Sequence, residues 1–155
     1  MIVYRITKKE HAALDGMGGL FGPGRWHKKG SLVIYASEHA SLAAWEKIVH
    51  VASFENLSTN LLLVKIEIPD EIKIQTVPTN VLVKGWDSFP FCNETVSYGT
   101  FFLQKKEYLA LKVPSAIIPD EFNIILNPLH PDLQACKVIG SVPFIFDKRI
   151  VKENT

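Results

Sequence analysis

The sequence predicts a single, sheet-rich α+β domain with two main helices. Short apolar segments suited to β-strands recur along the chain, and two longer segments are typical of helices. No repeat, linker or low-complexity tract divides it. With 155 residues, 47% of them hydrophobic and 21% charged, the chain can bury a core of its own. We therefore expect one domain over residues 1–155.

The N-terminal third is predicted to contain two strands, a long glycine-rich loop and a helix. Residues 2–6 alternate weakly and indicate a first strand. Residues 8–30 contain six glycines and indicate a long ordered loop, which is typical of functional or mobile segments. Residues 31–36 indicate an apolar strand covered on both faces. Ser37 is a suitable N-cap for a helix over 38–52.

The middle of the chain is predicted to form strands followed by an irregular segment. Residues 61–68 alternate, with Val64 and Ile66 on one face and charged side chains on the other. Residues 72–77 indicate another strand. The aromatic, proline-containing segment 86–91 has no regular period and is predicted to be irregular.

The C-terminal third is predicted to contain the second helix and the remaining strands. Residues 95–106 indicate a helix, and residues 108–113 and 123–126 indicate two strands separated by proline-containing turns. A last strand is predicted over 138–146, with an interruption at Pro143 because proline cannot donate a ladder hydrogen bond.

Composition argues against several classes of function. A net charge of +1 provides no general attraction for nucleic acid, and no apolar run is long enough to cross a bilayer. The N-terminus lacks the pattern of a signal peptide, and Cys92 and Cys136 share no motif spacing, so a cytoplasmic location is expected. The five histidines form no i, i+4 pair, and we expect no metal site.

Glu46 is the sharpest candidate for chemistry. The predicted apolar stripe of its helix is Leu42, Trp45 and Val49, and Glu46 occupies the i+4 position of the same stripe. A glutamate there faces the sheet or a cleft. The alternative is that it lies at the edge of the stripe and extends into solvent, as most glutamates do.

Three further residues could serve a ligand, and each has an ordinary alternative. Arg25 follows a glycine-rich segment and could bind phosphate oxygens, or it could be a solvated loop residue. Trp26 could form a wall for an aromatic ligand or anchor the loop. Tyr35, near the end of a strand, could point into a cleft or be an ordinary core tyrosine.

Familiar nucleotide and hydrolase motifs do not fit. Gly19 and Gly24 have the spacing of a phosphate-binding loop, but Arg25 and Trp26 occupy the positions of its lysine and serine or threonine. There is no Rossmann fingerprint between a strand and a helix. Ser115 lacks the context of a nucleophile elbow, so a serine hydrolase is not supported.

Taken in order, several segments resemble the RES-domain toxins of bacterial RES–Xre toxin–antitoxin systems. The resemblance covers nearly the whole chain, and its segments are 3–5 (VYR), 18–26 (GGLFGPGRW), 32–37 (LVIYAS), 41–46 (SLAAWE), 109–116 (LALKVPSA) and 123–131 (NIILNPLHP). This family carries an Arg, Tyr, Glu and Ser quartet, which corresponds here to Arg25, Tyr35, Glu46 and Ser115. The family usually has Asn after Arg-Trp, whereas this chain has His27.

The resemblance implies a fold like that of ADP-ribosyltransferases and an enzyme that consumes NAD+ as substrate. Glu46 would then stabilise the charge on the ribose, and Arg25 would hold the diphosphate. Tyr35 would contact the nicotinamide, Trp26 would contribute to the same binding site, and Ser115 would bond the amide or ribose.

The resemblance leaves the acceptor of the ADP-ribose group open. Hydrolysis or phosphorolysis of NAD+ and ADP-ribosylation of a macromolecule would use the same quartet, and a catalytically silent binding protein is a third alternative. An Xre-type antitoxin is implied as the partner that covers the cleft and brings the toxin into an oligomer. In this family DNA contact belongs to the antitoxin, so no direct nucleic-acid binding is expected.

Overall fold

The structure, a computed structural model, describes residues 1–51 and 59–150. These residues form one seven-stranded sheet and two α-helices, which confirms the predicted α+β class. The strands are β1 (Ile2–Lys8), β2 (Ile34–Ser37), β3 (Leu61–Glu67), β4 (Ile74–Thr76), β5 (Ala110–Pro114), β6 (Phe122–Leu126) and β7 (Lys137–Phe144). The helices are α1 (Ala40–Val49) and α2 (Asn93–Lys105).

The strand order across the sheet is β4-β5-β6-β2-β1-β3-β7, and every neighbouring pair is antiparallel except β4 and β5. Along the described residues, β1 pairs with β2 only at Tyr4 and Ser37. The residues after Tyr4 on β1 do not pair with the residues before Ser37 on β2. The sheet is therefore split at its centre.

Both helices pack on the same face of the sheet. On β6, Ile124 belongs to the core of one face, whereas Ile125 packs with Phe102 of α2 on the other. Ile6 of β1 and Ala43 of α1 pack together on that second face. α1 thus packs on β1 and contacts β2 beside the split, and α2 covers β5 and β6. None of the helices in the described residues is long and apolar enough to cross a bilayer.

Most of the predicted strands are confirmed, with ends within two or three residues of those observed. On β3, Val64 and Ile66 are fully buried while the charged Lys65 and Glu67 are exposed, as the alternation predicts. The glycine-rich segment 8–30 differs from a plain loop, because it contains 3-10 turns at Lys9–His11 and Met17–Leu20. The segment 86–91 is irregular, as expected.

Two local predictions are wrong. Ser37 is the last residue of β2 and does not cap α1, whose N-cap is His39 without a side-chain hydrogen bond. Pro143 does not interrupt β7, because β7 is an edge strand and needs no second ladder partner there; Pro143 lies opposite Leu62. The predicted end of the first helix at residue 52 lies outside the described residues.

Candidate active site

Glu46 is held on the inner side of α1, although the stripe that predicted this is not the buried one. α1 buries Leu42 and Ala43, whereas Trp45 and Val49 are 52% and 51% exposed. Glu46 follows Leu42 by four residues and Ala43 by three, so it lies beside both on the helix surface. Its side chain is 23% exposed. The prediction that Glu46 faces inward is confirmed, and the predicted stripe is wrong.

One oxygen of the Glu46 carboxylate is fixed by two donors. Oε1 accepts hydrogen bonds from Oγ of Ser115, at 3.2 Å, and from Nδ2 of Asn123. Oγ of Ser37 donates to Oδ1 of Asn123 at 2.7 Å, so Asn123 is oriented with its amide nitrogen toward Glu46. Oε2 accepts no hydrogen bond from the described residues and lies 3.9 Å from Nε2 of His50.

The hydroxyl of Ser115 holds the carboxylate of Glu46 in position. Ser115 is buried, and its Oγ accepts the backbone N–H groups of Ile117 and Ile118 at 3.1 and 3.2 Å. Its one proton is therefore available for Glu46. The neighbouring Pro114 and Ala116 line the cavity described below. The geometry thus makes Ser115 a positioning group for the carboxylate.

Arg25 projects from a tight turn. The backbone N–H of Gly24 donates to the carbonyl of His27 at 3.0 Å, and the N–H of His27 donates back at 3.3 Å. Nη1 of Arg25 donates to the backbone carbonyls of Trp86 and Ser88. Burial lowers the pKa of Arg25, and the carboxylate of Glu46 opposes that shift by raising it. An arginine stays protonated under such conditions, so the turn delivers a fixed cation.

Tyr35 is tied to this turn through its hydroxyl. The hydroxyl accepts the backbone N–H of Trp26 at 3.2 Å and lies 2.8 Å from Nδ1 of His27. Nε2 of His27 lies 2.9 Å from the carbonyl of Gly22, which can only accept, so Nε2 carries the proton and Nδ1 accepts from Tyr35. Burial raises the pKa of Tyr35 and lowers that of His27, so both remain neutral.

Trp26 and Gly99 fasten the turn to α2. The indole of Trp26 is 2% exposed and packs at 6.3 Å, centroid to centroid, from both Trp86 and Tyr98. A Cβ on Gly99 would lie 1.9 Å from the carbonyl oxygen of Trp26, so only glycine permits this approach. These contacts favour the anchoring role for Trp26.

The buried neutral state of His27 predicts a pH-dependent stability. Because burial lowers the folded pKa of His27 below its usual 6.5, the unfolded chain binds the proton more readily. The free energy of unfolding should fall as the pH drops below about 6.5 and level off only below the folded pKa. Thermal unfolding at about pH 8 and about pH 5.5 should show a smaller drop in midpoint for His27→Asn than for the wild type. Equal drops would contradict the assignment, since the two proteins differ only at residue 27.

A cavity of about 660 Å³ brings the predicted residues together at the split in the sheet. Arg25, Tyr35 and Glu46 all line it, and Arg25 and Glu46 do not form an ion pair with each other. Its volume lies within the range usual for small-molecule and cofactor sites. Within residues 1–51 and 59–150, no cluster of three or more His, Cys, Asp or Glu is arranged to hold a metal ion.

The sequence predicted no site role for Asn123, and it predicted Ser37 only as the N-cap of α1. Both are polar side chains on the helix-covered face of otherwise apolar strands, next to each other across β2 and β6. A buried polar side chain needs a hydrogen-bond partner, so a polar residue within an apolar strand was the sequence feature that could have indicated these two residues. Which partner it finds depends on the β2–β6 register and on the position of α1.

The fold and the candidate site together indicate the class of protein to which the chain belongs. The chain is a small mixed α+β domain in which the hydrogen-bonded carboxylate of Glu46 and the guanidinium of Arg25 line a cavity at a split sheet. The family model described as the RES domain matches residues 2–147, and the chain belongs to this family. The resemblance to RES-domain toxins noted in the sequence is confirmed.

Individual relatives agree with the family assignment. The chain is 35% identical over 143 residues to the Prs ADP-ribosylating toxin of Sphingobium sp. strain YBL2, covering 90% of this chain and 88% of that protein. It is 38% identical over 139 residues to Toxin Res of Pseudomonas putida, covering 89% and 92%. A chain in the crystal structure of the M. tuberculosis MbcT–MbcA toxin–antitoxin complex has the same fold, with a TM-score of 0.71 and 17% identity over 92% of this chain and 83% of that one.

Proposed function

We propose that this protein is a toxin that cleaves the nicotinamide–ribose bond of NAD+ and passes the ADP-ribose group to water or phosphate. The observation that carries the proposal is the Glu46 carboxylate, fixed through one oxygen by Ser115 and Asn123 and facing a cavity that also holds the guanidinium of Arg25. The membership in a family of toxins, one of them named as ADP-ribosylating, supports it.

The chemistry suits a fixed carboxylate. Breaking the bond between nicotinamide and ribose places positive charge on the sugar, as in glycoside cleavage. Glu46 stabilises that charge and accepts a ribose hydroxyl at Oε2, the oxygen that is not used by Ser115 or Asn123. Nicotinamide leaves as a neutral molecule, so no acid is needed for its departure. Water or phosphate then supplies the new bond to the ribose carbon, and water loses its proton to solvent.

The remaining residues bind and orient the dinucleotide. Arg25 binds a phosphate oxygen with the guanidinium donors that are not held by Trp86 and Ser88. Tyr35 presents its ring beside the nicotinamide, Ser115 keeps Glu46 in place, and Trp26 shapes the wall. We propose no metal ion in this reaction.

The direct test is nicotinamide release from NAD+ by the purified protein, with and without inorganic phosphate. Free ADP-ribose as the product indicates hydrolysis, and ADP-ribose 1-phosphate that forms only with phosphate indicates phosphorolysis. No nicotinamide release under either condition would overturn the proposal.

ADP-ribosylation of a cellular macromolecule is the second candidate function, and the name of the Sphingobium relative favours it. The transferase would use the same Glu46 and Arg25, with a nucleophile of the target replacing water. Labelled NAD+ incubated with a cell lysate would give a discrete labelled band in this case. Release of nicotinamide without any labelled band would favour the first function.

We further propose that an Xre-type antitoxin covers the cavity, brings the toxin into an oligomer and makes any DNA contact. The toxin–antitoxin complex of the structural neighbour supports an antitoxin partner. So do the apolar side chains at the cavity, since Phe89 is 84% exposed and Val49 of α1 lines the same space. A cytoplasmic location is proposed as well, and it suits the two free cysteines, Cys92 and Cys136.

Asn123 offers a test of how the carboxylate is positioned. Asn123→Asp replaces the donor to Glu46 with a second carboxylate, so kcat for nicotinamide release should fall about tenfold while KM changes little. The acid limb of the pH–rate profile should move to higher pH, because two adjacent carboxylates share a proton more readily than one binds it. The matched control is Asn80→Asp, which makes the same chemical change at an exposed position outside the cavity. An unchanged pH profile would show that Asn123 does not position Glu46.

A further inference from the structure

A second group of cations belongs to β1 and α1 and not to the turn that carries Arg25. Arg5 of β1 and Lys47 of α1 both line the cavity and are both partly buried. Lys8, exposed at the end of β1, adds a third positive charge close to Lys47. We refer to Arg5, Lys8 and Lys47 as the basic wall.

The basic wall is poorly neutralised by the protein. Within the part of the chain that the structure describes, no carboxylate oxygen lies within ion-pair distance of Arg5, Lys8 or Lys47. The hydrogen bond of Arg5 is a long one, 3.3 Å from Nη1 to the carbonyl of Ala13, and Asp15 acts on it only at a distance. A cation that is partly withdrawn from water without a partner is costly, so the wall is suited to an anion supplied from outside.

The pKa of Lys47 reports the same crowding. Burial is the largest cause that lowers the pKa of Lys47, and the charges of Lys8 and Arg5 lower this pKa further. Glu46, the next residue, forms no ion pair with Lys47: its Oε1 accepts from Ser115 and Asn123, and its Oε2 lies 3.9 Å from Nε2 of His50. An anion between Arg5 and Lys47 would reverse both effects, since it restores the lost solvation and screens the repulsion.

We propose that Arg5 and Lys47 form a phosphate-binding subsite of the cavity, distinct from Arg25. The ligand is a phosphate group, because a guanidinium fork and an ammonium together suit its several oxygens. Two sources carry that chemistry: the diphosphate of the dinucleotide, or a free phosphate that accepts the ribose. The assignment rests on the proposed function for its place in the reaction, although the binding itself does not require turnover.

The test is binding of ADP, adenosine and inorganic phosphate, measured by isothermal titration calorimetry. The variant is Arg5→Gln with Lys47→Gln, and the matched control is Lys65→Gln with Lys137→Gln, which removes two exposed charges from β3 and β7. If the subsite takes the dinucleotide's diphosphate, the variant binds ADP at least about tenfold more weakly than the control, with adenosine unchanged. If it takes a separate phosphate, the variant loses phosphate binding to the ADP-saturated protein.

Equal binding of ADP and phosphate by the variant and the control would overturn the proposal. Should the double variant fail to fold, Arg5→Lys with Lys47→Arg preserves both charges and should retain binding within about threefold, whereas single Lys47→Gln should weaken it. Unchanged binding in folded Lys47→Gln would then overturn the proposal. Wild-type protein that binds ADP through this wall but releases no nicotinamide would retain this inference and refute the proposed function.

Discussion

Glu46→Gln should lower kcat for nicotinamide release by about 10²–10³-fold, the usual cost of removing one well-placed electrostatic group. Glutamine has the shape of glutamate, and its Oε1 can still accept from Ser115 and Asn123. The substitution therefore removes the negative charge while it preserves the hydrogen bonds that position the side chain. KM for NAD+ should change little, because the charge is needed mainly when the ribose becomes positive.

The comparison requires a glutamate whose charge has no role in the cavity. Glu67→Gln removes one exposed carboxylate from β3 and should leave both kcat and the thermal unfolding midpoint near their wild-type values. Binding of ADP-ribose to Glu46→Gln, measured by calorimetry, checks that the cavity is intact. If Glu46→Gln keeps more than about a third of wild-type kcat, the carboxylate does not stabilise the transition state.

The strands of this fold could be predicted because their signals are local. The alternation on β3 and the apolar runs of β2 and β6 follow from burial on one or both faces of a sheet, and they require no knowledge of distant residues. The wrong prediction at Pro143 has the opposite origin. Whether proline is tolerated depends on whether its strand lies at the edge, and strand order is a property of the whole sheet.

The site was predictable only in part. Glu46 was predicted as a site residue because it lies within the apolar stripe of an amphipathic helix. Trp45 and Val49, which belong to that predicted stripe, are nevertheless exposed. Val49 lines the open cavity at the split, whereas Trp45 is exposed and does not line it. A helix beside a binding site therefore shows an apolar stripe that is wider than its buried face, and a stripe alone cannot distinguish the two.

The partners of Glu46 could not be read from the chain. Asn123 lies 77 residues from Glu46, and Ser115 lies 69 residues away. Their meeting depends on the β2–β6 register, on the turn after β5 and on the tilt of α1, none of which leaves a periodic signal. The same is true of Gly99 of α2, because its close approach to the carbonyl of Trp26 joins two distant segments.

Gly99→Ala should destabilise the fold and disable the site together. The added Cβ would lie 1.9 Å from the carbonyl oxygen of Trp26 and 2.7 Å from its carbonyl carbon, so α2 or the turn must move. Because both neighbours are backbone, no side-chain rotation relieves the overlap. Overpacking of this kind costs about 1–3 kcal/mol and occasionally more, which outweighs the gain of up to about 1 kcal/mol that alanine brings to a helix interior.

The effect on activity follows from what the turn carries. A shift of the Trp26 carbonyl moves Arg25 on one side and His27 on the other, and His27 holds the hydroxyl of Tyr35. Displacement of a site residue by about 1 Å can cost about 10²-fold in rate, so kcat/KM should fall by roughly that factor even in the folded fraction. Gly140→Ala is the matched control, because its Cβ would meet only Lys65 at 3.7 Å or more. Denaturant unfolding and nicotinamide release should then separate the two substitutions, and a Gly99→Ala protein with wild-type stability and activity would show that α2 does not hold the turn in place.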